Sequence, residues 1–195
     1  MDRREAIKRV GMLMGGALSM STVAGVLGGC RAGPATEGFV PQALTSGRDE
    51  LVATIAELII PETDTPGARA ARVHEFIDQM LSTWYEDEER NHFLAELATV
   101  DQQAQDTYGK LFLELSEAEQ TELLTALEDA GIAWTESLET GRGDPEKPPF
   151  FVAMKGLTLF GYYTSEVGAT QELRVMPMGQ YRGDVPFSEI GRAWA

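Results

Sequence analysis

Leu51-Val52-Ala53-Thr54-Ile55-Ala56-Glu57-Leu58-Ile59-Ile60-Pro61 decides the fold class of this chain. Leu51, Val52, Ile55, Leu58 and Ile59 recur at i, i+1, i+4, i+7 and i+8, which places them on one face of a helix. Pro61 ends that helix, because its ring crowds a helical backbone at the preceding residue. Thr63-Asp64-Thr65-Pro66-Gly67 then gathers turn-forming residues. The periodicity returns downstream. Val73, Phe76, Ile77, Met80 and Leu81 share a face of a second helix. A third is predicted from about Asp87 to Thr107, with Phe93, Leu94, Leu97, Val100 and Ala104 inward. Ser116, with Glu119 three positions on, has the form of a capping box. The fourth helix should bury Leu123, Leu124 and Leu127 and stop near Gly131. A glycine- and proline-rich loop over residues 140–149 separates it from a last long helix beginning near Phe150. That helix carries Phe151, Met154, Leu157, Thr158, Gly161 and Tyr162 on its inner face. Gly156 and Gly161 each lower helix propensity by about 1 kcal/mol relative to alanine, so both predict close approach of another backbone or a ring.

No alternating strand pattern of any length is present. The fold class is therefore all-α: a compact domain of about five helices with a long irregular C-terminal arm over residues 169–195. The arm is longer than an ordinary connection and too apolar for simple disorder. It should wrap its own domain, which leaves it free to touch a partner as well. No internal repeat is visible.

Composition narrows the function. The chain has 195 residues, 43% of them hydrophobic, enough for one core. Its formal net charge is −15 and its pI about 4.5, which argues against nucleic acid as a partner, since phosphate binding needs a basic face. A single cysteine and two histidines exclude a disulfide framework and a Cys-rich metal site.

Residues 1–30 have the layout of an export signal and stand apart from the fold. Arg3, Arg4, Lys8 and Arg9 form a positive start, and no charge follows from Val10 to Gly29. The paired Arg3 and Arg4, then Ile7 and Lys8, resemble a twin-arginine signal. The apolar run is rich in glycine, serine and threonine and only weakly hydrophobic. Leu27-Gly28-Gly29-Cys30 resembles a lipobox, with Cys30 acylated as the new N-terminus. A permanent transmembrane anchor is the competing reading, since the run has about the 20 residues that a span needs; its glycines make a poor one. Residues 31–47 read as a flexible tether, and residues 48–195 as the helical domain. Removing residues 1–29 takes away four basic and two acidic groups, so the mature body is more acidic still. Such a body gains nothing from anionic lipid heads, and the lipid at Cys30 would do the anchoring.

Catalytic motifs are sparse. Glu89 and His92 form a Glu-x-x-His pair, as in di-iron bundles, but those need two such motifs, and His74 has Ala71 three positions before it. Glu88, His92 and Glu96 share a face, which an acidic chain produces readily, and a solvated helix face is the simpler reading. No Gly-x-Ser-x-Gly occurs, and no Gly-x-Gly-x-x-Gly follows a strand. An export route that carries folded, cofactor-loaded proteins, on a chain without a visible cofactor site, suggests that the cofactor belongs to a partner.

Two blocks carry a family resemblance. Ile59-Ile60-Pro61-Glu62-Thr63-Asp64-Thr65-Pro66-Gly67-Ala68, followed by Val73, Phe76, Ile77 and Asp78, is similar to the gluconate 2-dehydrogenase subunit 3 family. So is Met154-Lys155-Gly156-Leu157-Thr158-Leu159-Phe160-Gly161-Tyr162-Tyr163-Thr164-Ser165-Glu166-Val167-Gly168, together with the ending from Val185 to Trp194. Met176-Pro177-Met178-Gly179-Gln180-Tyr181 departs from the family's usual Pro-x-Pro-Gly-x-Tyr. The resemblance implies a non-catalytic small subunit, and the signal layout of residues 1–30 would place it on the periplasmic side of a bacterial membrane. It would bind, help fold and escort a large FAD-dependent dehydrogenase of the glucose–methanol–choline type that oxidises sugars, sugar acids or polyols. FAD would reside in that partner, and a cytochrome c subunit would take the electrons.

Pro61, Asp64, Thr65, Pro66 and Gly67 in the turn, and Tyr162, Tyr163, Ser165 and Glu166 at the last helix end, are the candidate partner surface. Tyrosine suits interfaces because its ring buries area while its hydroxyl stays paired. The purely structural alternative has Asp64 capping the second helix and Tyr162 filling the core. Two other readings of function compete: a stand-alone lipid-anchored enzyme using His92 and nearby carboxylates, and an envelope lipoprotein that binds something else.

Overall fold

The computed structural model describes residues 38–142, 148–174 and 183–193, without the side chains of Phe187 and Ile190. The chain divides into two units, Met1–Phe39 and Val40–Ala195, and the second is the helical domain. Arg3, Arg4, Lys8 and Cys30 lie outside the described residues, as does the block from Met176 to Tyr181. Five long helices follow one another: α1 (Ser46–Ile59), α2 (Val73–Thr83), α3 (Asp87–Tyr108), α4 (Glu117–Glu139) and α5 (Phe150–Thr164). A 3-10 turn (Phe112–Glu114) precedes α4, a π-turn (Gly168–Glu172) follows α5, and a short α6 (Phe187–Ile190) lies in the C-terminal arm. No strand occurs among the described residues. No described helix is long and apolar enough to cross a membrane.

The predicted stripes face one core. Leu51, Val52 and Ile55 of α1 meet Val73, Ile77 and Leu81 of α2. Phe93, Leu97 and Val100 of α3 join Leu123 and Leu124 of α4 and Phe150, Phe151, Met154 and Tyr162 of α5. Each fully buried aliphatic or aromatic side chain contributes about 1.5–3 kcal/mol relative to exposure. α5 packs on α1, α2, α3 and α4. It is the hub of the bundle, which explains why it is the most apolar helix.

The helix ends follow local chemistry. Thr45 caps α1, with its Oγ1 accepting from the Arg48 N–H at 3.4 Å. Ser116 and Glu119 close a reciprocal capping box on α4. At the start of α3, Glu89 Oε2 accepts the Glu86 N–H at 3.1 Å. Gly109 ends α3 at φ 71°, the left-handed region that favours glycine.

Three expectations need correction. Helix α4 does not stop at Gly131 but runs on to Glu139. Gly131 is buried, and a Cβ there would stand 2.8 Å from Val152 Cγ2; close packing against α5 outweighs the propensity loss. Gly161 does admit a ring, with Phe76 Cδ1 2.6 Å from where its Cβ would be, whereas Gly156 is exposed with nothing within 4 Å. Asp64 does not cap α2, which begins at Val73 after Arg72 in the left-handed region at φ 58°.

The segment before α1 also differs from a free tether. Asp78 of α2 is 1% exposed. Its carboxylate accepts the backbone N–H groups of Gln42, Ala43 and Leu44 at 2.8, 2.9 and 2.8 Å. Leu44 is buried in the core beside it. Residues 42–44 thus belong to the fold. The arm beyond α5 partly folds on itself: Arg174 donates its N–H to the Ala193 carbonyl at 2.8 Å and its Nη1 to the Glu189 carbonyl at 2.8 Å.

Candidate partner-docking site

The turn after α1 is a closed loop held from inside. The Ala68 N–H donates to the Ile60 carbonyl at 2.9 Å and closes its base. The Thr63 N–H donates to the Thr65 carbonyl at 3.0 Å across its tip. Glu57, in the last turn of α1, supplies the internal clamp. One carboxylate oxygen accepts the Glu62 N–H at 2.9 Å and the other the Arg69 N–H at 2.8 Å. Gly67 makes room for that clamp, since a Cβ there would stand 2.6 Å from both Glu57 Oε2 and the Glu62 nitrogen. Its value is therefore space rather than a left-handed φ. Arg69 ties the loop back to α1 through a fork to both oxygens of Glu50, at 3.1 and 3.0 Å, and a bond to Thr54 Oγ1 at 2.9 Å.

The end of α5 is fastened to the same loop. Tyr162 is fully buried, and its hydroxyl donates to the Pro66 carbonyl at 2.8 Å. Tyr163 stands edge-on to Tyr162, with ring centroids 5.3 Å apart. Its hydroxyl donates to Glu172 Oε1 at 2.8 Å. Ser165 finishes the helix: its hydroxyl donates to the Tyr162 carbonyl at 2.6 Å and accepts the Gly168 N–H at 3.1 Å. Gly168 lies directly against that carbonyl, where a Cβ would be 2.8 Å from the Tyr162 carbonyl carbon. Burial pushes the Tyr162 hydroxyl pKa above its ordinary value, and the Glu172 bond does so for Tyr163. Both rings therefore stay neutral and act as hydrogen-bond donors.

Between loop and helix end lies a cleft of about 440 Å³. Ile59, Ile60, Pro61, Thr63, Asp64 and Thr65 form one wall, Leu159 and Tyr163 the other, and Glu172 and Arg192 come from the arm. Of the predicted surface residues, Pro61, Asp64, Thr65 and Tyr163 line the cleft. Pro66, Gly67 and Tyr162 stand behind it and fix its shape. Ser165 caps the helix, and Glu166 is exposed without lining the cleft. Glu57, Leu159, Glu172 and Arg192 were not singled out in the sequence. Glu57 sits on a helix face that reads as ordinary solvated surface, and no local motif marks Glu172. A second hollow, about 640 Å³, is lined by Glu117, Ala118, Thr121, Glu122 and Thr125 of α4 alone, so no other element converges there.

His92 is exposed on α3, as is Glu88. Among the described residues no group of three or more His, Cys, Asp or Glu could hold a metal ion. No curated protein and no solved structure matches the chain. The family model described as gluconate 2-dehydrogenase subunit 3 matches residues 47–182. That span holds both blocks that frame the cleft and stops before Arg192 and the ending from Val185 to Trp194. With most of its length matched by that one model, the chain belongs to the gluconate 2-dehydrogenase subunit 3 family.

Proposed function

We propose that this chain is a non-catalytic accessory subunit. It binds, helps fold and escorts a large FAD-dependent dehydrogenase of the glucose–methanol–choline type that oxidises sugars, sugar acids or polyols. The observation that carries the reading is that the two blocks of family resemblance fold against each other, joined by the Tyr162 hydroxyl on the Pro66 carbonyl. Together they build a shaped surface between the loop and the end of α5. FAD is assigned to the partner. The pattern of residues 1–30 supports export by the twin-arginine route. Leu27-Gly28-Gly29-Cys30 supports a lipid anchor on the periplasmic side of the membrane, and a cytochrome c subunit is the expected electron acceptor.

The test is export. Replacing Arg3 and Arg4 together by lysine should retain this chain and the large subunit in the cytoplasm, as read by fractionation and flavin content. Normal periplasmic levels of the large subunit would end the escort reading. Replacing Cys30 should leave export intact and release the complex from the membrane.

The same reading gives His92 no task. His92→Gln should leave dehydrogenase activity of the complex within about twofold, because an exposed substitution usually shifts stability by less than about 0.5 kcal/mol. Loss of activity together with loss of a bound metal would revive a catalytic role for the Glu89 and His92 face.

A further inference from the structure

We propose that the cleft between the loop after α1 and the end of α5 receives a short segment of the large subunit, with one apolar side chain against Pro61 and Leu159 and a lysine or arginine beside Asp64. The proposal rests on the accessory-subunit reading and specifies its contact.

Apolar surface supplies the first argument. Leu159 is 38% exposed and Phe160, next to it, 59%. The Phe160 ring leans on Phe76, with centroids 5.8 Å apart. Ile59, Ile60 and Pro61 continue this surface on the opposite wall. Single exposed apolar residues need no explanation. Here Leu159, Ile59, Ile60 and Pro61 line one concavity, with Phe160 beside it, the arrangement in which an inserted side chain is most completely desolvated.

Charge supplies the second. The cleft carries two carboxylates, Asp64 and Glu172, against one cation, Arg192. Glu172 already accepts from Tyr163, and Arg192 donates its Nη1 to the Gln171 carbonyl. Asp64 accepts the hydroxyl of neighbouring Thr63 at 3.2 Å and is exposed. Glu62 and Glu166, close in sequence to the two walls, are exposed carboxylates as well. An occupant with a cation at Asp64 complements this field, and an anionic one is repelled.

Preorganisation supplies the third. Glu57, the Ile60 carbonyl and the Tyr162 hydroxyl hold the loop before anything binds, so little ordering entropy is lost on docking.

The experiment uses the complex as it forms in cells. The tagged chain is co-produced with the flavoprotein, the complex is solubilised from membranes, and retained flavin is quantified. Leu159→Ser should weaken flavoprotein binding about 30-fold or more, as expected for a central apolar anchor. Asp64→Lys should weaken it about tenfold at low salt, with the deficit closing near 1 M salt, where the screening length falls to about 3 Å. A photo-crosslinking residue at position 159 should capture one flavoprotein peptide that contains lysine or arginine, and one at position 92 should not. Both variants alone should melt with the wild-type chain; should Leu159→Ser melt lower, Asp64→Lys and the cross-link decide. Variants that bind like wild type, or a cross-link to a second copy of this chain or to a peptide without a cation, overturn the cleft assignment and leave the accessory reading standing. A wild-type chain that carries no flavoprotein overturns both.

Discussion

Asp78→Ala is expected to destabilise the domain by about 3 kcal/mol or more, among the largest effects available outside the apolar core. The carboxylate is 1% exposed and accepts three N–H groups within 2.9 Å. Removing it strands donors that are buried or partly buried, each at about 1–3 kcal/mol before water enters. At about 2–4 °C per kcal/mol for a domain of this size, the melting temperature should fall by about 10 °C. Asp78→Asn should fall between, because its amide oxygen can still accept at one carboxylate position while its NH2 faces N–H donors at the other. A double-mutant cycle locates the cause. In a chain lacking residues 38–44 the partners are already gone, so Asp78→Ala should then cost little, and the strong non-additivity identifies the clamp. Equal costs in both backgrounds would show that Asp78 supports something other than this segment.

The clamp also shows what sequence periodicity can and cannot carry. The all-α class and the start or end of most helices were legible, because a 3.6-residue stripe is a local signal that burial enforces. Ser116 with Glu119 and the stop at Pro61 were legible for the same reason. Gly131 misled because local propensity was read as a boundary, whereas contact with Val152 overrides it. Asp78 lies on a helix between apolar positions and resembles any surface carboxylate until Gln42, 36 residues away, is placed against it. Tyr162 and Pro66, 96 residues apart, could each be named as surface or core, but no spacing rule joins them. The two blocks were therefore recognisable separately. The cleft between them was not, because it exists only once α5 has packed on α1 and α2. Glu57 and Gly67 are a further case: a carboxylate and the space it needs are matched across a loop, which shows only in three dimensions.

Tyr162 should be the position where fold and docking surface fail together. Tyr162→Ala removes a fully buried ring at the hub helix, for an expected loss of about 3–5 kcal/mol, and the isolated chain should melt far lower. Tyr162→Phe keeps the ring and strands the Pro66 carbonyl, at about 1 kcal/mol. Hydrogen exchange of the loop amides should rise in this variant while the rest of the bundle stays protected. The hydroxyl adds a pH signature. Burial, the largest influence, raises its pKa above 10.0, and the nearby Glu172 adds to this while a bond with Thr65 opposes it. The folded state therefore holds the proton more tightly than the unfolded chain. Its contribution is fully present below the ordinary tyrosine pKa and is lost as pH rises through the folded value. Tyr163 and Tyr85 shift the same way, so wild-type stability should fall steeply on the alkaline side. Tyr162→Phe has no proton to lose at that position. Urea midpoints taken at about pH 8 and about pH 11 should therefore converge more closely in the variant than in wild type. Equal alkaline losses in the two proteins would place the titrating group elsewhere.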